Sequence, residues 1–333
     1  MRRRTFLIGG ALLGLATPAP AVAESPVRVT VAPPSPQPGD VVLLQISGGP
    51  PDVRADWDGR PLALFPTAHG VAALIGIDLD VRPGHIGWRV TRPSVAKNGG
   101  ALATGAVTVR ARTFPTQPLT LPKGMVDLDA PTLARVETER EELKAALGAG
   151  AAERLWRGPF RIPVDGGQPT GGFGLRRILN GQPRSPHTGY DWAAPAGTPV
   201  LAANAGRAAL VAEYFFAGRN VVLDHGLGLF TLYGHMNSID VKVGDAVTKR
   251  QPIGRTGETG LAAGDHLHFG IYLDGLAVLP VEWWDQKWIN DNIAPKLEGR
   301  SGEEIAQTQQ SARIAAKKSG GSTPKTTPKK KKR

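Results

Sequence analysis

Five of the seven histidines lie within residues 185–271, and the chain has no cysteine. The five are His187, His225, His235, His266 and His268. Asp191 follows the first of them at a spacing of four residues. Imidazole nitrogens with a carboxylate oxygen, in the absence of thiolates, make a ligand set that zinc most often takes. This stretch therefore predicts a metal site built from nitrogen and oxygen ligands.

The elements that carry these side chains decide whether they can meet. If residues 267–272 form a strand, His266 and His268 point to one face and Leu267 points to the other, into the core. Two imidazoles on one face of a strand can share a site, one as a ligand and one as its neighbour. We therefore expect a strand at this place.

The spacing of His187 and Asp191 would also fit one face of a helix. Pro186 before them and Gly189 between them argue against a helix, so we expect a loop that runs into a strand. Two histidines and one aspartate would leave the fourth position of a tetrahedral zinc ion for water. Such an open site is typical of catalytic rather than structural zinc.

Seven short motifs follow one another around these residues. They are residues 173–177 (FGLRR), 187–191 (HTGYD), 194–200 (APAGTPV), 224–226 (DHG), 233–235 (YGH), 243–247 (VGDAV) and 266–269 (HLHF). Together they resemble the lysostaphin-like, or LytM-type, zinc metallopeptidases of bacterial cell walls, over about residues 158–285. One departure from the family pattern is Arg250, at a turn that usually carries glycine.

The resemblance implies roles for five residues. His187, Asp191 and His268 match the zinc ligands of the family. His235 and His266 match the pair that flanks the metal-bound water. Some relatives have lost ligands and act only as activators of other wall hydrolases. Every motif position is filled here, so the resemblance implies an active enzyme.

The implied function is a secreted zinc metalloendopeptidase, a peptidoglycan hydrolase that cuts peptide bonds with a metal-activated water. Zinc lowers the pKa of water and polarises the amide carbonyl, while a base must accept a proton and a donor must stabilise the oxyanion. His235 and His266 can share these two tasks, in either order. The alternative is a non-catalytic envelope regulator that activates a cell-wall amidase. A carrier or structural envelope module, the third possibility, predicts no metal.

The expected fold class is all-β, with a helical connector. Residues 24–113 carry short apolar runs broken by Gly, Pro and Asp, which indicates an immunoglobulin-like β-sandwich. Residues 114–157 form a linker and a helix. Residues 158–290 show β-like runs without a convincing helical period, which predicts an antiparallel β-domain. The resemblance implies that this domain has the lysostaphin-type architecture, the duplicated hybrid motif.

The connector contains a predicted helix that starts after Asp129 and runs to about Trp156. Pro131 lies in the first turn, where its missing N–H costs nothing. The apolar positions near one face are Leu133, Val136, Leu143 and Leu147. The other side is rich in Glu, Arg and Lys, and we expect it to face solvent.

The formal net charge of +11 is concentrated at the two ends. Residues 2–4 are three arginines, and residues 296–333 hold 11 basic and 3 acidic side chains, so residues 24–295 sum to zero. Residues 1–23 add a short apolar run and a small-residue cleavage site, which predicts a twin-arginine-like signal peptide and export to the periplasm or cell envelope. An ordinary secretory signal with an extra arginine is the alternative.

Residues 291–333 are predicted to be a disordered basic tail. The tail is either simply solvated or adheres to anionic envelope polymers. The expected substrate is a peptidoglycan peptide. Nucleic acid is not an expected partner, because the chain is predicted to be exported. No other stretch has the length and apolar character of a transmembrane span.

Four further residues have two interpretations each. Asn180 either forms a turn with Gly181 or, as in some latent relatives, occupies the open zinc position. His225 is either a structural residue of its turn or a neighbour of the metal site. Tyr190 and Tyr233 either pack in the domain or line the cleft.

Overall fold

The computed structural model describes residues 26–93, 100–120, 127–293 and 297. The strands, in chain order, are β1 (Arg28–Ala32), β2 (Val41–Ser47), β3 (Arg54–Trp57), β4 (Arg60–Pro61), β5 (Phe65–Thr67), β6 (Gly70–Gly76), β7 (Gly84–Thr91), β8 (Ala101–Val109), β9 (Thr116–Leu119), β10 (Gln168–Gly171), β11 (Arg176–Leu179), β12 (Gln182–Pro183), β13 (Gly189–Ala193), β14 (Pro199–Leu201), β15 (Gly206–Tyr214), β16 (Gly218–Asp224), β17 (Leu229–Ile239), β18 (Ala246–Val247), β19 (Pro252–Thr256), β20 (His266–Leu273) and β21 (Leu276–Val278). The helices are α1 (Ala130–Leu147), α2 (Pro280–Trp284) and α3 (Gln286–Asn292). The described chain is therefore mostly β with few helices.

The N-terminal half contains two four-stranded antiparallel sheets. Their strand orders are β1-β2-β6-β5 and β4-β3-β7-β8. Side chains of both sheets meet in one buried cluster, formed by Val42, Leu44, Ile46, Ala55, Trp57, Ala73, Ile75, Ile77, Val90, Val107 and Val109. Trp57 is only 1% exposed, so it is a core aromatic. The two packed sheets accord with a sandwich, and its immunoglobulin-like type stays a prediction.

The sheet that contains β2 and β6 is buried on both of its faces. Along β2, Val42 and Leu44 belong to the sandwich core, whereas Val41 and Leu43 belong to the core of the C-terminal half, together with Trp283. Strand β6 shows the same alternation. Because successive side chains of a strand point to opposite faces, a run that is apolar at every position can serve two cores at once.

The C-terminal half is built on a ten-stranded antiparallel sheet, as expected for this region. The main path is β10-β13-β20-β17-β16-β15-β18, with β14, β19 and β21 attached to it. Along β20, Leu267 is fully buried while His266 and His268 on the other face are partly exposed. The predicted strand and the predicted facing of its histidines are both confirmed.

A third, three-stranded sheet joins the halves, in the order β12-β11-β9. Strand β9 pairs in parallel with β11, with Thr116 opposite Arg176. The rings of Phe114 and Phe173 meet edge-on with centroids 6.3 Å apart. Arg176 Nη2 lies 3.2 Å from Asp80 Oδ1. The segment after the sandwich is therefore docked on the β11–β12 hairpin.

Helix α1 begins where predicted but ends earlier. Asp129 is its N-cap, and its Oδ1 accepts a hydrogen bond from Thr132 N at 2.9 Å. The helix ends with Leu147, followed by Gly148, so the predicted end near Trp156 is wrong. Trp156 is fully buried in the core of the C-terminal half, and a continued helix could not place it there.

The charged side of α1 partly faces protein rather than solvent. Glu139 Oε2 accepts a hydrogen bond from Phe215 N at 2.8 Å, and Glu142 Oε2 accepts one from Tyr214 OH at 3.3 Å. Leu133, on the predicted apolar face, is 54% exposed. The expectation that the charged side faces solvent is therefore wrong for these two glutamates, which dock the helix on the β15–β16 hairpin.

Helices α2 and α3 were not expected within residues 158–290. With lengths of 5 and 7 residues, they are too short for an apolar period to show in the sequence. Helix α3 runs to Asn292, and Ile293 after it is fully buried, so packed structure continues past the predicted start of the tail at residue 291. Residues 298–333 of that tail lie outside the described residues.

The turn with the unusual arginine has the backbone that glycine favours. Arg250 has a φ of 69°, in the left-handed region. Its guanidinium forms an ion pair with Asp165, with Nη2 and Oδ2 2.7 Å apart. The predicted signal peptide, residues 1–23, lies outside the described residues. None of the described helices has the length and apolar character that crossing a membrane requires.

Candidate metal centre

Three neighbouring strands of the large sheet carry the site. Asp191 on β13 lies directly opposite His268 on β20. Gly234 on β17 lies opposite His268 from the other side, which brings His235 to the same place. His187 precedes β13 in a loop, as expected from its sequence context.

The predicted ligand residues His187, Asp191 and His268 come together. His187 Nε2 lies 2.9 Å from Asp191 Oδ1 and 3.0 Å from His268 Nδ1. His268 Nδ1 lies 2.9 Å from Asp191 Oδ1. Three ligand atoms therefore form a nearly equilateral triangle. In the part of the chain that the structure describes, His187, Asp191 and His268 form the one group of histidine and carboxylate side chains whose ligand atoms lie close enough together to hold a metal ion.

The triangle has the dimensions that a tetrahedral zinc ion needs. A point about 1.2 Å above the plane of a triangle with sides near 3 Å lies about 2.0–2.1 Å from each corner, the usual length of Zn–N and Zn–O bonds. Nothing in the donor set is a thiolate, and all three atoms belong to different side chains. The residues present therefore fit a metal ion with one face open.

The imidazole of His187 is held in one tautomer by the backbone. Its Nδ1 lies 2.9 Å from Gly172 O, and only a protonated Nδ1 can donate to that carbonyl. Nε2 is then left with its lone pair toward the triangle, the usual arrangement of a ligand histidine. Two backbone hydrogen bonds, Gly174 N to His187 O and His187 N to Leu175 O, hold the residue itself.

His235 lies beside the triangle on a β-bulge. The pairing of β16 with β17 shifts register between Arg219 and Val221, and His235 has a φ of 60°. A bulge re-aims a side chain, and bulges often occur next to active sites. His235 Nδ1 donates to Thr259 O at 2.8 Å, and its N donates to Ala217 O at 2.7 Å.

His266 lies close to both His235 and the carboxylate of Asp191. Its Nδ1 donates to Gly264 O at 2.8 Å, so its Nε2 is the nitrogen that faces the site. That Nε2 lies 4.0 Å from Asp191 Oδ1. The ring centroids of His235 and His266 are 4.5 Å apart. Both predicted catalytic histidines therefore lie next to the candidate ligands, each with its Nδ1 bonded to a backbone carbonyl.

Comparisons with known proteins agree with this geometry. A family model described as Peptidase family M23 matches residues 185–280. A crystal structure of a candidate M23 peptidase from Pseudomonas aeruginosa aligns with a TM-score of 0.58 and 30% sequence identity, covering 76% of this chain and 96% of that one. This chain belongs to peptidase family M23.

Two curated relatives are longer proteins. The peptidoglycan DD-endopeptidase ShyA of Vibrio cholerae serotype O1 is 37% identical over 128 residues, which are 38% of this chain and 30% of ShyA. ShyB, another peptidoglycan DD-endopeptidase of that organism, is 37% identical over 124 residues, 36% of this chain and 29% of ShyB. The M23 chain thus spans about three tenths of the length of these relatives.

Burial and hydrogen bonding set the charges in this M23 site. Burial raises the pKa of Asp191, but its contacts with His187 and His268 outweigh burial and hold that pKa well below its usual range. Burial lowers the pKa of His268 and lowers that of His235 to about 4. At neutral pH His235 is therefore an uncharged imidazole and Asp191 is a carboxylate.

Three of the residues with two interpretations, His225, Tyr233 and Tyr190, make packing or hydrogen-bond contacts within the domain. His225 is fully buried, with Nδ1 donating to a backbone carbonyl, and burial lowers its pKa to about 4. Tyr233 is fully buried, and its hydroxyl accepts a hydrogen bond from Ala203 N at 2.8 Å. The ring of Tyr190 packs edge-on against Trp284. These contacts support the structural interpretation of each of the three residues.

Asn180 takes part in a turn. Asn180 and Gly181 have φ values of 51° and 82°, between strands β11 and β12. Positive φ at both central residues is the signature of a tight hairpin turn. The turn-forming interpretation is therefore the one that the backbone supports.

Two residues of the site were not foreseen. Arg177 on β11 places Nη2 3.6 Å from Asp191 Oδ2. Thr259 fixes the tautomer of His235 through its backbone carbonyl. Arg177 falls in the motif at residues 173–177, where alternation along a strand could have indicated one arginine facing the site. No signal in the sequence marks the carbonyl of Thr259.

Proposed function

We propose that this protein is an exported, zinc-dependent endopeptidase that hydrolyses peptide bonds of peptidoglycan. The observation that carries the proposal is the triangle of His187 Nε2, Asp191 Oδ1 and His268 Nδ1, with two more histidines directed at the same space. The names of the relatives, peptidoglycan DD-endopeptidases, support the substrate class.

His187, Asp191 and His268 are the proposed metal ligands, and zinc is the proposed metal. An N,N,O donor set without thiolate, with one open face, is the set found in catalytic zinc sites. A zinc ion bound there would lower the pKa of water and polarise the carbonyl of the scissile amide. Asp191 supplies the negative charge that the two neutral imidazoles lack.

The two remaining histidines have proton-transfer tasks in this proposal. His235 has a pKa of about 4 and its Nδ1 donates to a carbonyl, so its uncharged Nε2 can accept a proton from the attacking water. His266, with Nε2 on the same side, can donate a hydrogen bond to the oxyanion of the tetrahedral intermediate when its ring carries a proton on both nitrogens. The rigid backbone bonds on both Nδ1 atoms keep these nitrogens oriented before substrate binds.

The remaining parts of the proposal concern location and organisation. The predicted signal peptide and the peptidoglycan-directed relatives support export to the periplasm or cell envelope. We also propose an immunoglobulin-like module over residues 24–113, a connector over 114–157 and a peptidase module over 158–290. For the basic tail we propose a weak contact with anionic envelope polymers.

The test compares the mature wild type with His268→Ala and, as a matched control, with His85→Ala, a histidine of the N-terminal half. We expect one zinc ion per chain and release of peptide fragments from purified peptidoglycan, both lost in His268→Ala and both kept in His85→Ala. The masses of the fragments would identify the bond that is cut. Zinc bound without any fragment release would favour a regulator of a cell-wall amidase, and a wild type without zinc would overturn the proposal.

A further inference from the structure

The two oxygens of Asp191 have different neighbours. Oδ1 lies 2.9 Å from both His187 Nε2 and His268 Nδ1. Oδ2 points away from them, toward the guanidinium of Arg177 at 3.6 Å. At that distance the contact is an ion pair rather than a hydrogen bond. One oxygen is therefore directed at the metal position and the other at a positive charge.

Strand β11 holds Arg177 in this place. The strand lies between β12 and β9, with Arg177 opposite Gln117 of β9. Its neighbour Arg176 forms an ion pair with Asp80 of the N-terminal half at 3.2 Å. Successive side chains of a strand point to opposite faces, so fixing Arg176 outward fixes Arg177 toward the site.

The environment of the ion pair makes it more than a surface contact. The side chain of Asp191 is 10% exposed and that of Arg177 is 41% exposed, so water screens the pair only from one side. On the other flank of Asp191 stands Gly171, directly opposite in the pairing of β10 with β13. Within the part of the chain that the structure describes, Asp191 is the acidic partner of Arg177.

We propose that Arg177 is a positioning residue that restricts Asp191 to binding the metal through one oxygen. A carboxylate can bind a metal ion with one oxygen or with both. A cation at Oδ2 competes with the metal for that oxygen and leaves Oδ1 as the ligand. The coordination number then stays low, and one position remains for water and substrate. This inference rests on the proposed metal site.

Cobalt(II) provides the probe, because its visible absorption is strong in four-coordinate sites and weak in sites of higher coordination. The full-length protein is loaded with Co²⁺ alone, and stoichiometry and spectrum are measured for each variant. Arg177→Gln removes the charge, and Arg177→Met does so while keeping the aliphatic stem. Arg177→Lys restores a charge, and Arg176→Gln removes the neighbouring charge on the opposite face.

We expect both charge-removing variants to keep one cobalt ion per chain and to lose about half or more of the absorption intensity, as Asp191 comes to bind with both oxygens. Arg177→Lys should recover part of the intensity, and Arg176→Gln should match the wild type. Wild-type spectra in Arg177→Gln and Arg177→Met would overturn the role of Arg177 while leaving the metal site intact. A wild type that binds no cobalt would overturn the site as well.

Discussion

Gly171 and Asp191 face each other across β10 and β13 without room for another atom. A Cβ placed at Gly171 would lie 2.5 Å from Asp191 Oδ2 and 3.1 Å from its Cγ. Real Cβ atoms do not approach an oxygen so closely, so a side chain at residue 171 would require Asp191 or the backbone of β10 to shift. The absence of a side chain at residue 171 is therefore part of what places the carboxylate.

We predict that Gly171→Ala weakens metal binding by about ten-fold or more, because the added methyl group displaces a ligand and its neighbouring charge. The measurement is zinc affinity by competition with a chelator. Gly87→Ala, in β7 of the N-terminal half, is the control, since a Cβ at Gly87 would meet only Gly105 O, at 3.9 Å. Equal zinc affinity in the two variants would show that Asp191 can shift without cost.

For single residues, the side chains that meet at the candidate site could be predicted from the sequence, whereas the groups that orient those side chains could not. The spacing of His266 and His268 indicates a shared strand face, and the family motif adds His187, Asp191 and His235. The orienting groups are backbone carbonyls, such as that of Thr259. Every residue type has such a carbonyl, so the sequence does not mark which one will be used. They come together only through pairing between distant strands.

Helix α1 reaches the site through the hairpin on which it docks. Glu139 accepts the hydrogen bond from Phe215 N at the tip of the β15–β16 hairpin. From the same tip, Ala217 O accepts the hydrogen bond from His235 N at 2.7 Å. The helix therefore supports the loop that supports the bulged histidine.

We predict that Glu139→Ala lowers the free energy of unfolding by about 1–3 kcal/mol, because it leaves a partly buried N–H without its acceptor. Hydrogen exchange at Phe215 should become faster at the same time. Glu137→Ala is the control: its side chain is 60% exposed and pairs with Arg140, so the change should stay within about 0.5 kcal/mol. Unchanged exchange at Phe215 in Glu139→Ala would contradict the docking role.

The start of α1 could be predicted from sequence, whereas its end could not. Asp129 with Pro131 two residues later is a local signal, because the cap is made within one turn. The end depends on a distant partner: Ala151 N donates to Asp224 Oδ2 and Leu155 N donates to His225 O. Tertiary hydrogen bonds of this kind override helix propensity.

At the scale of the whole molecule, buried charge joins the two halves. Asp40, at the start of β2, accepts hydrogen bonds from Gln37 N at 2.8 Å and from Arg112 Nη2 at 2.7 Å. Glu282 of α2 lies against the same carboxylate. Burial, and then the negative charge of Asp40, raise the pKa of Glu282 to about 9. The folded protein therefore holds this carboxyl protonated at neutral pH.

We predict that Glu282 by itself lowers the unfolding free energy as the pH rises from about 4.5 to about 9, so its effect is read from the difference between the wild type and a Glu282 variant. In that window the folded state keeps a proton that the unfolded chain releases, which contributes a slope of at most about 1.4 kcal/mol per pH unit. Glu282→Gln, a neutral isostere, should remove this slope and be more stable than the wild type at the alkaline end. Urea unfolding across the window measures it, with the exposed Glu137→Gln as control. Parallel pH curves for wild type and Glu282→Gln would contradict the assignment.

The β-class and the order of segments could be predicted, but not how the segments share a core. Local alternation indicates strands in both halves. The run Val41 to Leu44 is apolar at every position, which marks a strand covered on both sides, but a sequence pattern does not say what covers the second side. The partner is the C-terminal half, more than a hundred residues away along the chain.

That doubly covered sheet limits how the protein can be cut and recombined. A chimaera that grafts residues 158–290 onto a foreign carrier would leave behind Val41 and Leu43, which belong to the same core as Trp283. The apolar surface that is then exposed to solvent would make the chimaera prone to aggregation. The same reasoning applies to the sandwich, whose sheet would expose its second face. Separating the two halves therefore requires a new apolar surface to cover this sheet on each of them.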